Sequence, residues 1–186
     1  MEKVILAVTG ASGAIYARKV AELLVRCDTI RTIAVVFSRN GRAVMEYERE
    51  SLPQDPRMQF FDDDDLFAPP ASGSARYGGM IVAPCTVGSA GRMAAGVSEG
   101  LIGRAADVML KERRPLVLVV REMPLGAIHL RNLALLAECG ASIVPACPSF
   151  YSRPAGVEEL CATVADKAVS LLGLPTGGFE WGGGAQ

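Results

Sequence analysis

The stretch that most constrains the fold is Val4 to Ala17, where an unbroken apolar run enters Gly10-Ala11-Ser12-Gly13 and then a helical pattern. A short continuous apolar run is typical of a strand buried on both faces of a parallel sheet. Glycines allow the tight turn, and Ser12 is expected to cap the following helix. The N–H groups and positive dipole end of that helix favour a phosphate. A small-residue turn that binds nothing shares this pattern, so the turn alone does not fix a function.

Further strand and helix patterns alternate along the chain. Apolar, β-branched-rich runs predict strands over 30–37, 80–83, 116–120 and 141–144, and helical spacing predicts helices over 14–26, 39–48, 98–113, 128–139 and 157–172. Residues 51–77, rich in proline and acidic side chains, are expected to form an irregular excursion. Together with the first strand, these elements predict an α/β fold, a three-layer doubly wound parallel sheet of the flavodoxin-like or Rossmann-like type. We expect one domain over 1–175 and a Gly-rich C-terminal tail over 176–186.

Composition narrows the kinds of partner. Lys plus Arg (19) nearly balances Asp plus Glu (20), so no overall field draws the chain to nucleic acid or to an anionic membrane. Five scattered cysteines and one histidine make a poor zinc site, and the acidic run Asp62 to Asp65 is expected to be a solvated surface without a metal. No signal pattern or long apolar segment occurs. We therefore expect a cytoplasmic protein with reduced thiols that acts on small molecules.

The strand ends indicate which phosphate ligand is favoured. A dinucleotide site needs G-x-G-x-x-G and a carboxylate after the second strand, but the turn reads T-G-A-S-G and that strand ends at Phe37-Ser38. Ser38 can cap the helix that follows it, and a hydroxyl there can bind a phosphate that an acid would repel. No Gly-Lys-Ser/Thr follows the first turn, which excludes a P-loop. A mononucleotide such as FMN remains.

Several ordered blocks resemble the UbiX/Pad-type flavin prenyltransferases. The blocks are Gly10 to Ala14, Ser38 with Glu48, Pro84-Cys85, Gly103 to Leu116 (GRAADVMLKERRPL), Arg121 to Leu125 (REMPL) and Pro148 to Tyr151 (PSFY). The resemblance extends from Lys3 to about Gly173, and the RAADV-x-LKERRPL and RE-x-PL blocks are its most specific parts.

The resemblance implies an activity and its partners. Members of this family join dimethylallyl phosphate to reduced FMN, forming bonds to N5 and C6 of the flavin and releasing phosphate without a metal. The prenylated FMN then serves a separate UbiD-type decarboxylase. Members form homo-oligomers, often dodecamers, with their sites at subunit contacts. Whether the donor is the monophosphate or the pyrophosphate stays open at this point.

The resemblance also implies roles for individual residues. The FMN contacts would be Gly10, Ala11, Ser12, Ser38, Cys85, Thr86, Val87, Gly88 and Arg121. The donor phosphate would be held by a group that we call the phosphate set: Lys111, Arg121, Glu122, Tyr151 and Lys167. Catalysis would fall to Lys111 and Glu122 at the leaving phosphate, and to Ser12 and Glu48 in proton transfer near the flavin. Trp181 resembles a tryptophan that closes over the site in relatives.

Some residues have a plainer interpretation. Cys85 follows a proline in an apolar setting with no neighbouring histidine, so packing is favoured over nucleophilic catalysis. Lys111 is also placed where a cation complements a helix dipole, and Glu48 is one of three glutamates close together in the sequence. Gly88 and Lys167 depart from the family pattern, where a longer side chain and an arginine are usual. Lysine keeps the charge of arginine but not its bidentate geometry.

Two other functions fit parts of the same pattern. One is a non-catalytic, FMN-binding small component of a hydroxyarylic acid decarboxylase complex, which Arg-Glu-Met-Pro-Leu followed by Ile128-His129-Leu130 resembles. The other is a flavin-dependent cysteine decarboxylase, which would need a P-x-M-N-type motif and a histidine near the third strand. The chain has Pro84-Cys85-Thr86-Val87 and only His129 instead, so this function ranks lower.

Overall fold

A computed structural model describes residues 1–179 of the chain, in which apolar strands alternate with amphipathic helices. The strands are β1 (Lys3–Val8), β2 (Thr32–Phe37), β3 (Met58–Asp62), β4 (Gly79–Cys85), β5 (Leu116–Val120) and β6 (Ser142–Pro145). The helices are α1 (Ala14–Arg26), α2 (Arg39–Tyr47), α3 (Val87–Ala94), α4 (Leu101–Lys111), α5 (Ala127–Glu138) and α6 (Val157–Ser170). Two short 3₁₀ turns, Pro69–Ala71 and Gly73–Ala75, precede β4.

The strands form one parallel sheet in the order β3-β2-β1-β4-β5-β6. Val4 of β1 pairs with Ile33 on one side and with Gly79 on the other, so β1 and β4 lie at the centre. The strand order reverses between them. In open α/β sheets such a reversal leaves a crevice beyond the carboxyl ends of the strands, where ligands bind. The predicted doubly wound α/β class is confirmed.

The core has two halves because side chains alternate across each strand. Val4, Leu6 and Val8 of β1 point into the layer that holds α1 and α6, whereas Ile5 and Ala7 point into the layer of α3, α4 and α5. All five are essentially inaccessible to solvent. Burial on both faces explains why β1 reads as a continuous apolar run rather than an alternating one.

The expectation of an irregular segment over 51–77 is wrong in part, because β3 lies within it. β3 pairs in parallel with β2 at the edge of the sheet, from Ile33 opposite Met58 to Phe37 opposite Asp62. Its sequence gives a weak signal, since the strand is short and Gln59 and Phe60 are exposed. The sheet therefore has six strands within residues 1–179, one more than the pattern predicts.

The single helix predicted over 98–113 is also corrected. The observed helix α4 begins at Leu101, and a separate helix α3 occupies the small-residue segment after β4. The side chain of Thr86 accepts a hydrogen bond from the backbone N–H of Ser89 at 3.0 Å and caps α3. Gly96, with a φ of 69°, provides the left-handed residue that follows α3.

The acidic run Asp62 to Asp65 ties elements together instead of only facing solvent. Asp62 pairs with Arg42 of α2 at 2.6 Å. The Asp63 carboxylate accepts a hydrogen bond from the N–H of Ile102 at 2.7 Å in the first turn of α4, where a negative charge is favourable. Within residues 1–179, no helix is both long and apolar enough to cross a membrane.

Candidate active site

Thr9, directly after β1, hydrogen-bonds to the end of β4 and to the loop that follows it at the carboxyl edge of the sheet. Its backbone N–H and its hydroxyl both donate to the carbonyl of Pro84, at 3.2 and 2.8 Å, and its hydroxyl oxygen accepts from the N–H of Thr86 at 2.9 Å. Thr9 is buried, so these bonds are shielded from water. The sequence prediction missed Thr9, although a hydroxyl residue directly before Gly10 at the end of a buried strand is a usable signal.

The predicted contacts Gly10 and Ser38 lie at adjacent strand ends. A Cβ atom on Gly10 would lie 2.5 Å from the Cβ of Asn40, so the first turn presses against the start of α2 and requires glycine. The Ser38 hydroxyl accepts from the N–H of Gly41 at 3.0 Å and caps α2, as the sequence predicts. Ala11, beside them in the turn, is buried.

The prediction that Ser12 caps α1 is wrong. The N-cap residue is Gly13, which adopts the left-handed conformation with a φ of 102° and has no side chain that could cap the helix. The carboxylate of Glu48 does so from the end of α2, because it accepts from the N–H of Gly13 at 3.0 Å and from the N–H of Ala14 at 2.7 Å. A carboxylate gains more here than a hydroxyl, since it also meets the positive end of the helix dipole.

Ser12 and Glu48 are nevertheless brought together. Glu48 is half-buried, and burial by itself would raise the pKa of its carboxyl group. Hydrogen bonds from the Ser12 hydroxyl and from the N–H groups of Ala14 and Gly13, with the charge of Arg121, outweigh burial and lower that pKa. Glu48 is therefore ionised at neutral pH and holds the hydroxyl of Ser12.

Arg121 joins this group from the carboxyl end of β5. Its Nε donates to the carbonyl of Ser12 at 3.1 Å, and its backbone N–H donates to the carbonyl of Cys85 at 3.2 Å. No carboxylate lies within ion-pair distance of Arg121 among residues 1–179. We call Ser12, Gly13, Glu48 and Arg121 the turn cluster. It places one carboxylate, one hydroxyl and one guanidinium around the first turn.

The loop after β4 contributes backbone and small side chains. Cys85 is fully buried, and burial raises the pKa of its thiol to about 12, which leaves it protonated at neutral pH. This favours a packing role over a thiolate nucleophile. Val87 and Gly88 open α3, and a Cβ on Gly88 would meet nothing closer than Arg92 at 3.8 Å, so the loop is open on this side.

The phosphate set is not assembled within one chain. Lys111 ends α4, next to Arg114, which donates to the carbonyls of Tyr77 and Gly73 before β4 begins. Lys111 therefore lies at the amino edge of the sheet, whereas Arg121 and Glu122 follow the carboxyl end of β5. A helix and the next parallel strand run in opposite directions, so Lys111 and Arg121 are separated within one chain. That both hold the donor phosphate stays a prediction, and it requires the subunit contacts that the resemblance implies.

The last members of the set lie beyond β6. Tyr151 is 72% exposed in the loop before α6, and Lys167 is exposed near the end of that helix. Lys167 lines a cavity of about 660 Å³ together with Ser149, Ser152 and the chain segment that holds Thr176 and Phe179. Glu122 is exposed and accepts from the N–H of Met123 at 3.1 Å. Trp181 lies outside the described residues.

These features fit an anionic, planar ligand such as FMN. The glycine turn, the Ser38 hydroxyl and the N–H groups of Val87 and Gly88 at the start of α3 supply donors for a phosphate at the carboxyl edge. The Arg121 guanidinium, which bonds to the carbonyl of Ser12, adds a positive charge at the same edge of the sheet. Within residues 1–179, no three His, Cys, Asp or Glu side chains are grouped closely enough to hold a metal ion.

Comparison with known proteins first identifies the class of protein to which the chain belongs. The model of the family described as Flavoprotein matches residues 1–169, which include the turn cluster, all six strands of the sheet and most of α6. This class agrees with the crevice and its phosphate donors.

Individual relatives then narrow the class. A flavin prenyltransferase UbiX from Pseudomonas aeruginosa is 40% identical over an alignment of 191 positions, which covers 94% of this chain and 90% of the relative. The crystal structure of AnUbiX in complex with FMN and dimethylallyl pyrophosphate has a TM-score of 0.90 at 38% identity and covers 100% of this chain and 99% of its own. A dodecameric FMN-dependent UbiX-like decarboxylase from Escherichia coli O157:H7 has a TM-score of 0.87 at 35% identity, covering 96% and 99% of the two chains. The chain belongs to the UbiX family of flavin prenyltransferases.

Proposed function

We propose that this protein joins the dimethylallyl group of dimethylallyl phosphate to N5 and C6 of reduced FMN and releases phosphate. The observation that carries the proposal is the turn cluster, which sets the ionised Glu48 carboxylate against the Ser12 hydroxyl beside a phosphate-binding turn. Reduced FMN supplies an electron-rich ring that accepts the prenyl group. The likeness to relatives named flavin prenyltransferase supports the same reaction.

Ser12 and Glu48 form a route for a proton. To close the new ring, the alkene of the N5-bound prenyl group takes up a proton, its tertiary carbon bonds to C6, and C6 then loses its proton. A positioned base accelerates this last transfer. Glu48 accepts hydrogen bonds from two backbone N–H groups, which still leaves acceptor capacity on its carboxylate. The Ser12 hydroxyl passes a proton to that carboxylate, and the two N–H groups hold the acceptor in place.

Cations of the phosphate set stabilise the leaving phosphate. Charge builds on the phosphate as the allylic C–O bond breaks, so fixed cations lower the barrier. Arg121 is available within the chain, and Lys111 lies at the opposite edge of the sheet. We assign Lys111 to the site of a neighbouring copy in a homo-oligomer. Tyr151, Glu122 and Lys167 complete the set, and the product is handed to a UbiD-type decarboxylase.

The test is anaerobic incubation of the purified protein with reduced FMN and dimethylallyl phosphate, followed by mass spectrometry of the released flavin. A flavin heavier by one prenyl unit is the expected product, and dimethylallyl pyrophosphate in a parallel reaction identifies the preferred donor. Oxidised FMN is the control and stays unmodified. Folded protein that binds FMN and returns it unchanged with both donors contradicts the proposal and favours the non-catalytic component of a decarboxylase complex.

A further inference from the structure

We propose that Arg92 pairs with the terminal phosphate of FMN and makes this chain select the phosphorylated flavin over riboflavin. The inference rests on the proposed function only in that it takes the crevice to bind FMN. No block of the sequence pointed to Arg92, which lies on α3 behind the predicted Cys85 to Gly88 contacts.

The position of the Arg92 guanidinium is set by the first turn of α3. Its Nη2 donates to the hydroxyl of Ser89 at 3.2 Å, and its Nη1 is the nearest atom to the position of a Cβ on Gly88, at 3.8 Å. Ser89 is buried and in turn accepts from the hydroxyl of Thr86 at 2.9 Å. A chain of hydrogen bonds therefore holds the guanidinium over the loop that follows β4.

Arg92 shares a cavity with two hydroxyls at the strand ends. Ser38, Ser89 and Arg92 line a recess of about 40 Å³, together with residues at the start of α4. The recess borders a wider cavity of about 760 Å³, to which Arg92 also contributes, together with Arg39. Ser38 in this recess follows β2, whereas Arg121 follows β5, and β1 and β4 lie between these two strands in the sheet. A flavin with its ring near Arg121 would extend its phosphate toward this recess.

The guanidinium of Arg92 forms no ion pair in the part of the chain that the structure describes. The neighbouring Arg42, by contrast, is paired with Asp62 at 2.6 Å. Two carboxylates also line the recess: Asp63 accepts from the N–H of Ile102 in α4, and Glu99 is exposed. Guanidinium and phosphate form short, charge-assisted bonds of high specificity. An anion in the recess is the partner that Arg92 lacks.

The test measures binding of oxidised FMN and of riboflavin by quenching of flavin fluorescence, in the absence of a prenyl donor. The Arg92→Ala and Arg92→Gln variants are expected to bind FMN about 10- to 100-fold more weakly, with riboflavin unchanged within about twofold. Arg39→Ala is the matched control, because Arg39 lines only the wider cavity, and it should change FMN binding by less than about threefold. Arg92→Gln removes the charge but keeps a hydrogen-bond donor for Ser89, so it still gives the test if Arg92→Ala does not fold.

Each outcome has one meaning. Selective loss of FMN affinity in the Arg92 variants supports the proposal. Equal losses for FMN and riboflavin, or no loss for FMN, overturn it, as does a larger effect from Arg39→Ala. If the wild-type protein binds FMN but transfers no prenyl group, the proposed function fails while the assignment of Arg92 is still decided by the binding data.

Discussion

The turn cluster and the phosphate set share Arg121 but are built in different ways. The turn cluster is closed within one chain: Glu48 reaches back 35 residues to Gly13, and Arg121 reaches 109 residues to Ser12. The phosphate set is spread over both edges of the sheet, with Lys111 at one edge and Arg121 at the other. Long-range hydrogen bonds hold the turn cluster together within one chain, whereas Lys111 and Arg121 of the phosphate set are too far apart in one chain to act together.

The contrast shows that a highly specific sequence block does not indicate where in the fold its residues lie. The block that contains Lys111 is the most specific in the chain, yet it lies at the edge of the sheet opposite the crevice that it is expected to serve. Glu48 gives the weaker sequence signal, and the structure places it in direct contact with the turn. Variants of the two regions should therefore fail in different ways.

The strongest loss of activity is expected at Glu48. Glu48→Gln keeps the size of the side chain but removes the base, so single-turnover prenylation should slow by about 10²- to 10⁴-fold. Rapid-quench mass spectrometry of the flavin gives the rate. Glu46→Gln, on the exposed face of α2, is the control and should leave the rate unchanged. A Glu48→Gln rate close to that of the wild type would confine Glu48 to capping α1.

A somewhat weaker effect tests whether the phosphate set crosses between copies. Lys111→Ala and Arg121→Ala should each lower the rate by about 10²- to 10³-fold, since each removes a cation from the leaving phosphate. Unfolding and refolding the two variants together should restore activity in about a quarter of the sites, because some contacts combine an intact Lys111 with an intact Arg121. Separately refolded variants, mixed afterwards, are the control. No recovery in the co-refolded sample would place both residues in the site of one chain.

The mildest change tests the packing behind the turn cluster. Gly10→Ala drives a Cβ to 2.5 Å from the Cβ of Asn40, so the free energy of unfolding should fall by about 1–3 kcal/mol. Gly156→Ala is the matched control, because its Cβ would meet no atom within 4 Å and its backbone is extended. Urea denaturation followed by circular dichroism measures both. Equal stabilities would mean that the turn and α2 separate freely.

Most of the fold could be predicted from the sequence, because buried parallel strands are continuous apolar runs and glycines punctuate the turns. β1, β2, β4, β5 and β6 were all recognisable in this way, and so was the Ser38 cap. β3 was not, because an edge strand with exposed Gln59 and Phe60 lacks that pattern and is defined only by its pairing with β2. α3 was hidden for a similar reason, since small residues carry little periodicity.

The amino-acid sequence alone also indicated a mononucleotide ligand, because the first turn lacks G-x-G-x-x-G and no carboxylate follows the second strand. Its ordered sequence blocks indicated the family. The assembled fold was needed to decide that Glu48 rather than Ser12 caps α1, that Thr9 joins the central loops, and that Lys111 is remote from Arg121. The two kinds of information differ because they depend on different sequence separations. Local patterns record which face of an element is buried, whereas the identity of a hydrogen-bond partner tens of residues away depends on how the whole sheet is assembled.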